Sequence, residues 1–192
     1  GTGIIAILLA AHHPGSVIDA VEIQPDAADR AARTVQLNQL EDAIRVHCQD
    51  LRHVRAYLPH AAYDLVICNP PYSPSDASLP SPNPALRGAR QEGLCTLEDI
   101  AAAAGWLLKS HARFALMLPV ARLTDAFEIL RQYRLEPKRL RLVHANATRP
   151  ARLALIEALL DVHPGIIVEP PLIVKNPDGT DSAEVRRIYH QD

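Results

Sequence analysis

The apolar run Leu65-Val66-Ile67-Cys68 stops at Asn69-Pro70-Pro71-Tyr72, and no other stretch constrains the fold as tightly. A short apolar run bounded by turn residues predicts a buried strand, from Tyr63 to Cys68. Two successive prolines have no N–H to give a sheet ladder, so the strand must end there. Asn69 and Tyr72 are then held beyond a strand's carboxyl end, where open α/β sheets take ligands. The plainer reading is a Pro-Pro turn with a capping asparagine.

Upstream, Gly1-Thr2-Gly3-Ile4-Ile5-Ala6 fits G-x-G-x-x-A, a strand-to-helix turn of nucleotide-binding α/β folds. Such a turn follows a strand, and here it opens the chain. The expectation is an N-terminally truncated domain whose first strand is missing from this chain. Ile4 to His12 reads as the helix after the turn, closed by Pro14-Gly15, and Val17 to Ile23 as a strand. Glu22 lies nineteen positions after Gly3. An acid at that spacing holds ribose hydroxyls in such folds, although a charged residue at a strand end needs no such role. Pro25-Asp26 opens a helix to about Asn38, and Ile44 to Cys48 alternates as a third strand. Asp50 follows it, either beside a cofactor base or as the N-cap of a helix from Leu51.

Ser73 to Arg90 is rich in serine and proline and reads as a loop, either a lid carrying Arg87 and Arg90 or an ordinary excursion. Thr96 to Lys109 predicts a helix capped by Thr96, Arg113 to Leu118 a strand, and Ala121 to Tyr133 an amphipathic helix. Pro137 to Ala145 alternates basic and apolar residues. Ala151 to Leu160 suits helix or strand by pattern; strand is preferred, because an antiparallel closing strand would complete the sheet. Pro171 to Val174 reads as extended, and Glu184 to Tyr189 as a last helical turn or a strand. The expected fold is α/β and Rossmann-like: a mostly parallel sheet with an antiparallel C-terminal strand, as one domain over residues 1–192.

Composition excludes several classes. No apolar run approaches a membrane span, and no signal-peptide pattern is visible. Cys48, Cys68 and Cys95 form no C-x-x-C, and Cys48 and Cys68 sit in strand-like contexts, so buried free thiols in a reducing cytoplasm are expected. The nine histidines show no metal-ligand spacing, so no metal is expected. Net charge is −2, yet Leu108 to Arg152 holds ten basic residues against three acids. That asymmetry suggests either a cationic face for nucleic acid or a solvated arginine-rich surface.

The residue types at the strand end suit one chemistry. An exocyclic amine on a conjugated ring is a poor nucleophile, because its lone pair is delocalised. Two acceptors aimed at its N–H bonds would localise that density. The Asn69 side-chain carbonyl is one acceptor and the Pro70 backbone carbonyl a second. Pro71 stiffens the turn, and Tyr72 offers a face on which a planar base can stack, worth ~1–3 kcal/mol.

These residues resemble the class I S-adenosylmethionine-dependent methyltransferases that carry Asn-Pro-Pro-Tyr. More narrowly, the chain resembles the bacterial tRNA1(Val) adenine-N6 methyltransferase family. The match is carried by Gly1 to Ala10, Asp19 to Ile23, Tyr63 to Tyr72, Leu135 to His144 and Pro170 to Val174. The resemblance implies S-adenosylmethionine as cofactor, an RNA substrate such as the tRNA anticodon loop, and a cytoplasmic enzyme. It places Gly1 and Gly3 in the cofactor loop, Glu22 at the ribose and Asp50 at the adenine. It assigns Asn69, Pro70, Pro71 and Tyr72 to the amine-acceptor site, with Asn69 also touching the cofactor. That family tends to carry His-Glu after a basic residue where this chain has Arg90-Gln91-Glu92. Protein glutamine or DNA adenine methylation would need the same two acceptors. An NAD-dependent dehydrogenase would explain the glycine turn and Glu22 but not Asn69 to Tyr72. A non-catalytic RNA-binding domain is the remaining alternative.

Overall fold

In the computed structural model, which describes residues 2–70 and 95–189, the chain forms two compact units, Gly1–Leu58 and Pro59–Asp192. The first unit runs α1 (Ile4–His12), β1 (Ile18–Glu22), α2 (Pro25–Leu37) and β2 (Ile44–Cys48), then a 3-10 turn over Leu51–Ala56. Helix α2 has proline in its first turn and buries Ala27, Ala28, Ala31 and Val35 along one stripe. It is the crossover that lets β1 and β2 pair in parallel, from Ile18 opposite Ile44 to Glu22 opposite Cys48. Ala6 and Ala10 of α1 pack with Val35 and Ile44, with Ile7, Ile18, Leu40 and Val46 around them. The alanines allow helix and sheet to approach closely.

The second unit is built on a six-stranded sheet. Its strands are β3 (Tyr63–Cys68), β4 (Leu108–Pro119), β5 (Leu135–Asn146), β6 (Ala151–Leu160), β7 (Ile167–Val168) and β8 (Leu172–Lys175). Along the sheet the order is β3-β4-β6-β5-β7, with β8 also pairing to β5. β3 and β4 are parallel, and β6 is inserted antiparallel between β4 and β5. Position decides the ambiguous Ala-Leu segment. Ala154, Ile156, Ala158 and Leu160 are buried in strict alternation, so ladder pairing on both sides overrides local helix propensity. Phe114 and Leu118 of β4 face the small Ala158 and Ala154, which fits bulk against gap across the ladder.

Among the described residues, three helices complete this unit: α3 (Leu97–Leu107), α4 (Leu123–Gln132) and α5 (Ala183–Ile188). Thr96 caps α3 as expected. Its hydroxyl accepts from the Asp99 amide at 3.1 Å, and Asp99 accepts from the Thr96 amide at 2.9 Å. The helix is shorter than the pattern suggested, because Ala61 and Ala62 N–H groups take the carbonyls of Trp106 and Leu107 and start β4 at once. Extra residues around His111, at φ +64°, are absorbed as an irregularity before Leu65 pairs with Arg113. Val120–Arg122 is a 3-10 turn rather than the first turn of α4. The alternating basic stretch is the centre of β5, and Glu184 to Tyr189 falls largely within α5.

Two expectations about burial are corrected. Cys48 is exposed, at the end of a strand paired on one side by β1. It lines an open hollow of about 280 Å³ with Pro25, Ala28, Asp29, Ala32 and Val46. Strand β3 is half-buried rather than buried, with Ile67 37% exposed, because it is the end strand of its sheet.

Candidate functional site

The first unit gathers three of the expected cofactor residues at one end. Gly3 is the N-cap of α1 at φ +80°, a left-handed conformation that glycine adopts without strain. A Cβ there would stand 3.2 Å from the Ala31 Cβ, so the backbone passes close to α2. The short turn from His12 to Ile18 makes α1 run back along β1, which returns Gly3 to the carboxyl end of the strand, where Glu22 lies. Glu22 Oε1 accepts the Gln24 amide at 2.8 Å, which fixes one edge of the carboxylate. The Gln49 amide donates to the Glu22 carbonyl at 3.1 Å and ties the β2 exit to the β1 exit. Asp50 therefore follows immediately beside Glu22.

Asp50 acts as the N-cap, its Oδ1 accepting the Arg52 amide at 2.9 Å. The Arg52 side chain adds Nη2 to Oδ2 at 2.6 Å and Nε to both oxygens at 2.9 and 3.0 Å. These bonds from Arg52 hold the Asp50 carboxyl below its ordinary value of 3.8. Three positioning residues were not legible from the motif alone. Arg52 grips Asp50, the Tyr57 hydroxyl donates to the Asp50 carbonyl at 3.1 Å, and His47 stacks at 5.9 Å from Tyr57. His47 Nε2 lies 2.7 Å from Asp19 Oδ1, which joins β2 back to β1. The only sequence signal for this chain of contacts is that Asp19 and His47 share a face of two alternating strands.

A glycine at positive φ, a strand-end carboxylate at Glu22 and a second carboxylate at Asp50 are group types that can bind S-adenosylmethionine. Among the described residues, no group of His, Cys, Asp or Glu could hold a metal ion. No described helix is long and apolar enough to cross a membrane.

In the second unit, Cys68 ends β3, followed by exposed Asn69 and half-buried Pro70. Burial, with a smaller contribution from Cys95, pushes the Cys68 thiol up to about 12. Pro71 and Tyr72 lie outside the described residues, as do Gly1, the 73–90 loop and Gln91. The expected cationic span is largely neutralised. Lys109 pairs with Asp64, Arg122 with Asp125, Arg131 with Glu136, Arg134 with Asp161, Arg139 with Glu169 and Arg141 with Glu184. Four of those six acids lie outside the span, so a count along the chain overstated its free charge.

The chain is similar to known proteins in sequence and in fold. The methyltransferase small domain model matches residues 1–80, a range that includes the glycine turn, Glu22, Asp50 and the end of β3. A protein of Porphyromonas gingivalis named tRNA1(Val) (adenine(37)-N6)-methyltransferase is 32% identical over 73% of this chain and 55% of its own length. Proteins of the same name from Tolumonas auensis and Aliivibrio salmonicida are 38% identical over 62% of this chain and 25% identical over 99%. The chain spans 48% of the former and 78% of the latter, so it covers about half the length of the relatives it matches at higher identity. A crystal structure of a predicted O-methyltransferase from Agrobacterium tumefaciens aligns over 99% of this chain and 85% of its own, with TM-score 0.78 and 18% identity. A geranyl diphosphate C-methyltransferase from Streptomyces coelicolor, solved with S-adenosyl-L-homocysteine, aligns over 80% of this chain and 66% of its own, with TM-score 0.55 and 12% identity. The fold is therefore the Rossmann-like one seen in these methyltransferase structures, and the methyltransferase small domain model matches the stretch that holds the glycine turn and Glu22.

Proposed function

We propose that residues 1–192 are one S-adenosylmethionine-dependent domain of a cytoplasmic enzyme that methylates the N6 amine of an adenine in tRNA. The observation that carries this reading is the end of β3. In a methyltransferase fold, a strand gives out directly into Asn69-Pro70, with two carbonyl acceptors on consecutive residues. The names of the sequence relatives favour tRNA over protein glutamine or DNA.

S-adenosylmethionine supplies an electrophilic methyl group when bound. Gly3, Glu22 and Asp50 are the residues that would hold it, through close backbone approach, ribose hydroxyls and the adenine edge. Asn69 Oδ1 and the Pro70 carbonyl accept the two N6 hydrogens and orient the nitrogen lone pair. Pro70 restricts the backbone that carries the second acceptor, so less ordering remains to be done when the base arrives. Tyr72 stacks on the base. An anticodon-loop adenine is unpaired, so its entry into such a site costs little unstacking energy.

The test is methyl transfer from labelled S-adenosylmethionine by the full-length protein, followed by mapping on total tRNA. Label at N6 of an anticodon-loop adenine is expected. Label on DNA or on a protein glutamine, with none on RNA, would replace the tRNA assignment.

A further inference from the structure

The β5–β6 hairpin and the end of β3 lie at the same end of the sheet. Strand β3 runs parallel to β4, with Cys68 opposite Leu116, and β6 runs antiparallel to β4, with Leu118 opposite Ala154. The amino end of β6 therefore emerges beside the carboxyl end of β3. β5 pairs with β6 up to His144 opposite Ala151, so the turn between them projects at that end as well. Two strand spacings separate β3 from β6, about 10 Å, and Arg152 lies two residues, ~7 Å, past Ala154.

Acids offset most of the basic span, but not this turn. Six of the ten basic residues between Leu108 and Arg152 are held by acids. Lys138 donates to the His163 carbonyl at 3.1 Å. Among the described residues, Arg149 and Arg152 meet no acid, and both are exposed. Arg113 also meets none among them, but it pairs level with Leu65 and Leu159, at the opposite end of the sheet.

The turn is built to hold its shape. Asn146 Oδ1 accepts the Thr148 amide at 3.1 Å and the Thr148 hydroxyl at 2.9 Å. The Arg149 amide donates to the Asn146 carbonyl at 3.3 Å, and His144 Nδ1 donates to the Arg149 carbonyl at 2.8 Å. A phosphate-binding element ordered in advance loses less entropy on binding than a mobile tail.

We propose that the β5–β6 hairpin is a phosphate grip, in which Arg149 and Arg152 hold backbone phosphates of the RNA flanking the nucleotide presented to Asn69 and Pro70. This rests on the RNA reading given above. The partner chemistry is a single-stranded or loop polyanion, recognised by charge and not by base. Arg149 and Arg152 set the register of the strand, and the amine acceptors read the target.

The experiment uses the full-length protein with an anticodon stem-loop RNA containing an unpaired adenine. Binding is measured against salt, and methyl transfer is resolved into kcat and KM. The double variant R149Q/R152Q is expected to raise KM about tenfold, to leave kcat within about twofold, and to reduce the salt slope by about 1.5, the value for two lost phosphate contacts. R149K/R152K keeps the charge and is expected to restore the slope, and R113Q, at the far end of the sheet, is expected to leave it unchanged. Equal affinity for S-adenosylhomocysteine in all forms checks folding. An unchanged slope and KM in the double variant, with wild-type RNA methylation intact, overturns the grip and leaves the RNA reading standing. No transfer to any RNA by the wild type overturns both.

Discussion

Arg52 holds the Asp50 carboxylate through its Nε and Nη2, with a shortest contact of 2.6 Å, while its own amide caps onto the same group. The cap and the ion pair share one carboxylate, so removing either partner has a different effect. Asp50→Ala loses both and is expected to destabilise the protein by about 1 kcal/mol and to weaken S-adenosylhomocysteine binding. Arg52→Ala leaves the cap, so it is expected to cost less stability and to preserve ligand affinity. Calorimetric titration and urea unfolding separate the two. The pH sign follows from the lowered Asp50 value. Its contribution is present above the ordinary 3.8 and is lost as pH falls through the lower folded value. The stability gap between wild type and Arg52→Ala is therefore expected to stand above the ordinary 3.8 and to close as pH falls below it through the lowered folded value.

Gly3 combines φ +80° with a neighbour that leaves little room for a Cβ, at 3.2 Å from Ala31. Gly3→Ala is expected to destabilise the protein by ~1–2 kcal/mol, chiefly through the left-handed backbone. Adding Ala31→Gly relieves the contact but not the backbone strain, so only partial recovery of the urea midpoint is expected.

Cys48 and Cys68 each end a strand but differ in chemistry. Cys48 is exposed, whereas burial pushes Cys68 up to about 12. The thiolate is the reactive form, so alkylation by a maleimide near neutral pH is expected at Cys48 well before Cys68. Peptide mapping by mass spectrometry after timed quenching reads this order, and prior modification of Cys68 would contradict the burial.

Asn69→Ala removes one of the two acceptors proposed for the amine. With methyl transfer as readout, kcat is expected to fall about 10²–10³-fold, while S-adenosylhomocysteine affinity stays within about threefold. Persistent turnover would show that the Asn69 carbonyl does not hold the amine.

Where a local pattern meets a breaker, the element is legible from its own residues. Helix α1 ends before Pro14-Gly15, β2 spans Ile44–Cys48 and β3 stops at Asn69, all as expected, because amphipathic period and turn chemistry act within a few residues. Thr96 was legible for the same reason: its partner, Asp99, is three positions away. The bounds of α3 and β4 were not, since backbone N–H groups from Ala61 and Ala62, more than forty positions away in sequence, end the helix.

The amino-acid sequence by itself determined the α/β alternation, the glycine turn, Glu22 and the Asn69-Pro70 strand end, because each is set by short-range sterics and missing backbone donors. Only the tertiary structure decided that β6 lies between β4 and β5, that Arg52 engages Asp50, and which arginines have an acidic partner. Those outcomes depend on strand register and on Coulomb partners such as Arg141 and Glu184, which are 43 positions apart. Of the basic span read along the chain, four residues meet no acid among the described residues, and two of them, Arg149 and Arg152, stand exposed at the end where β3 gives out into Asn69.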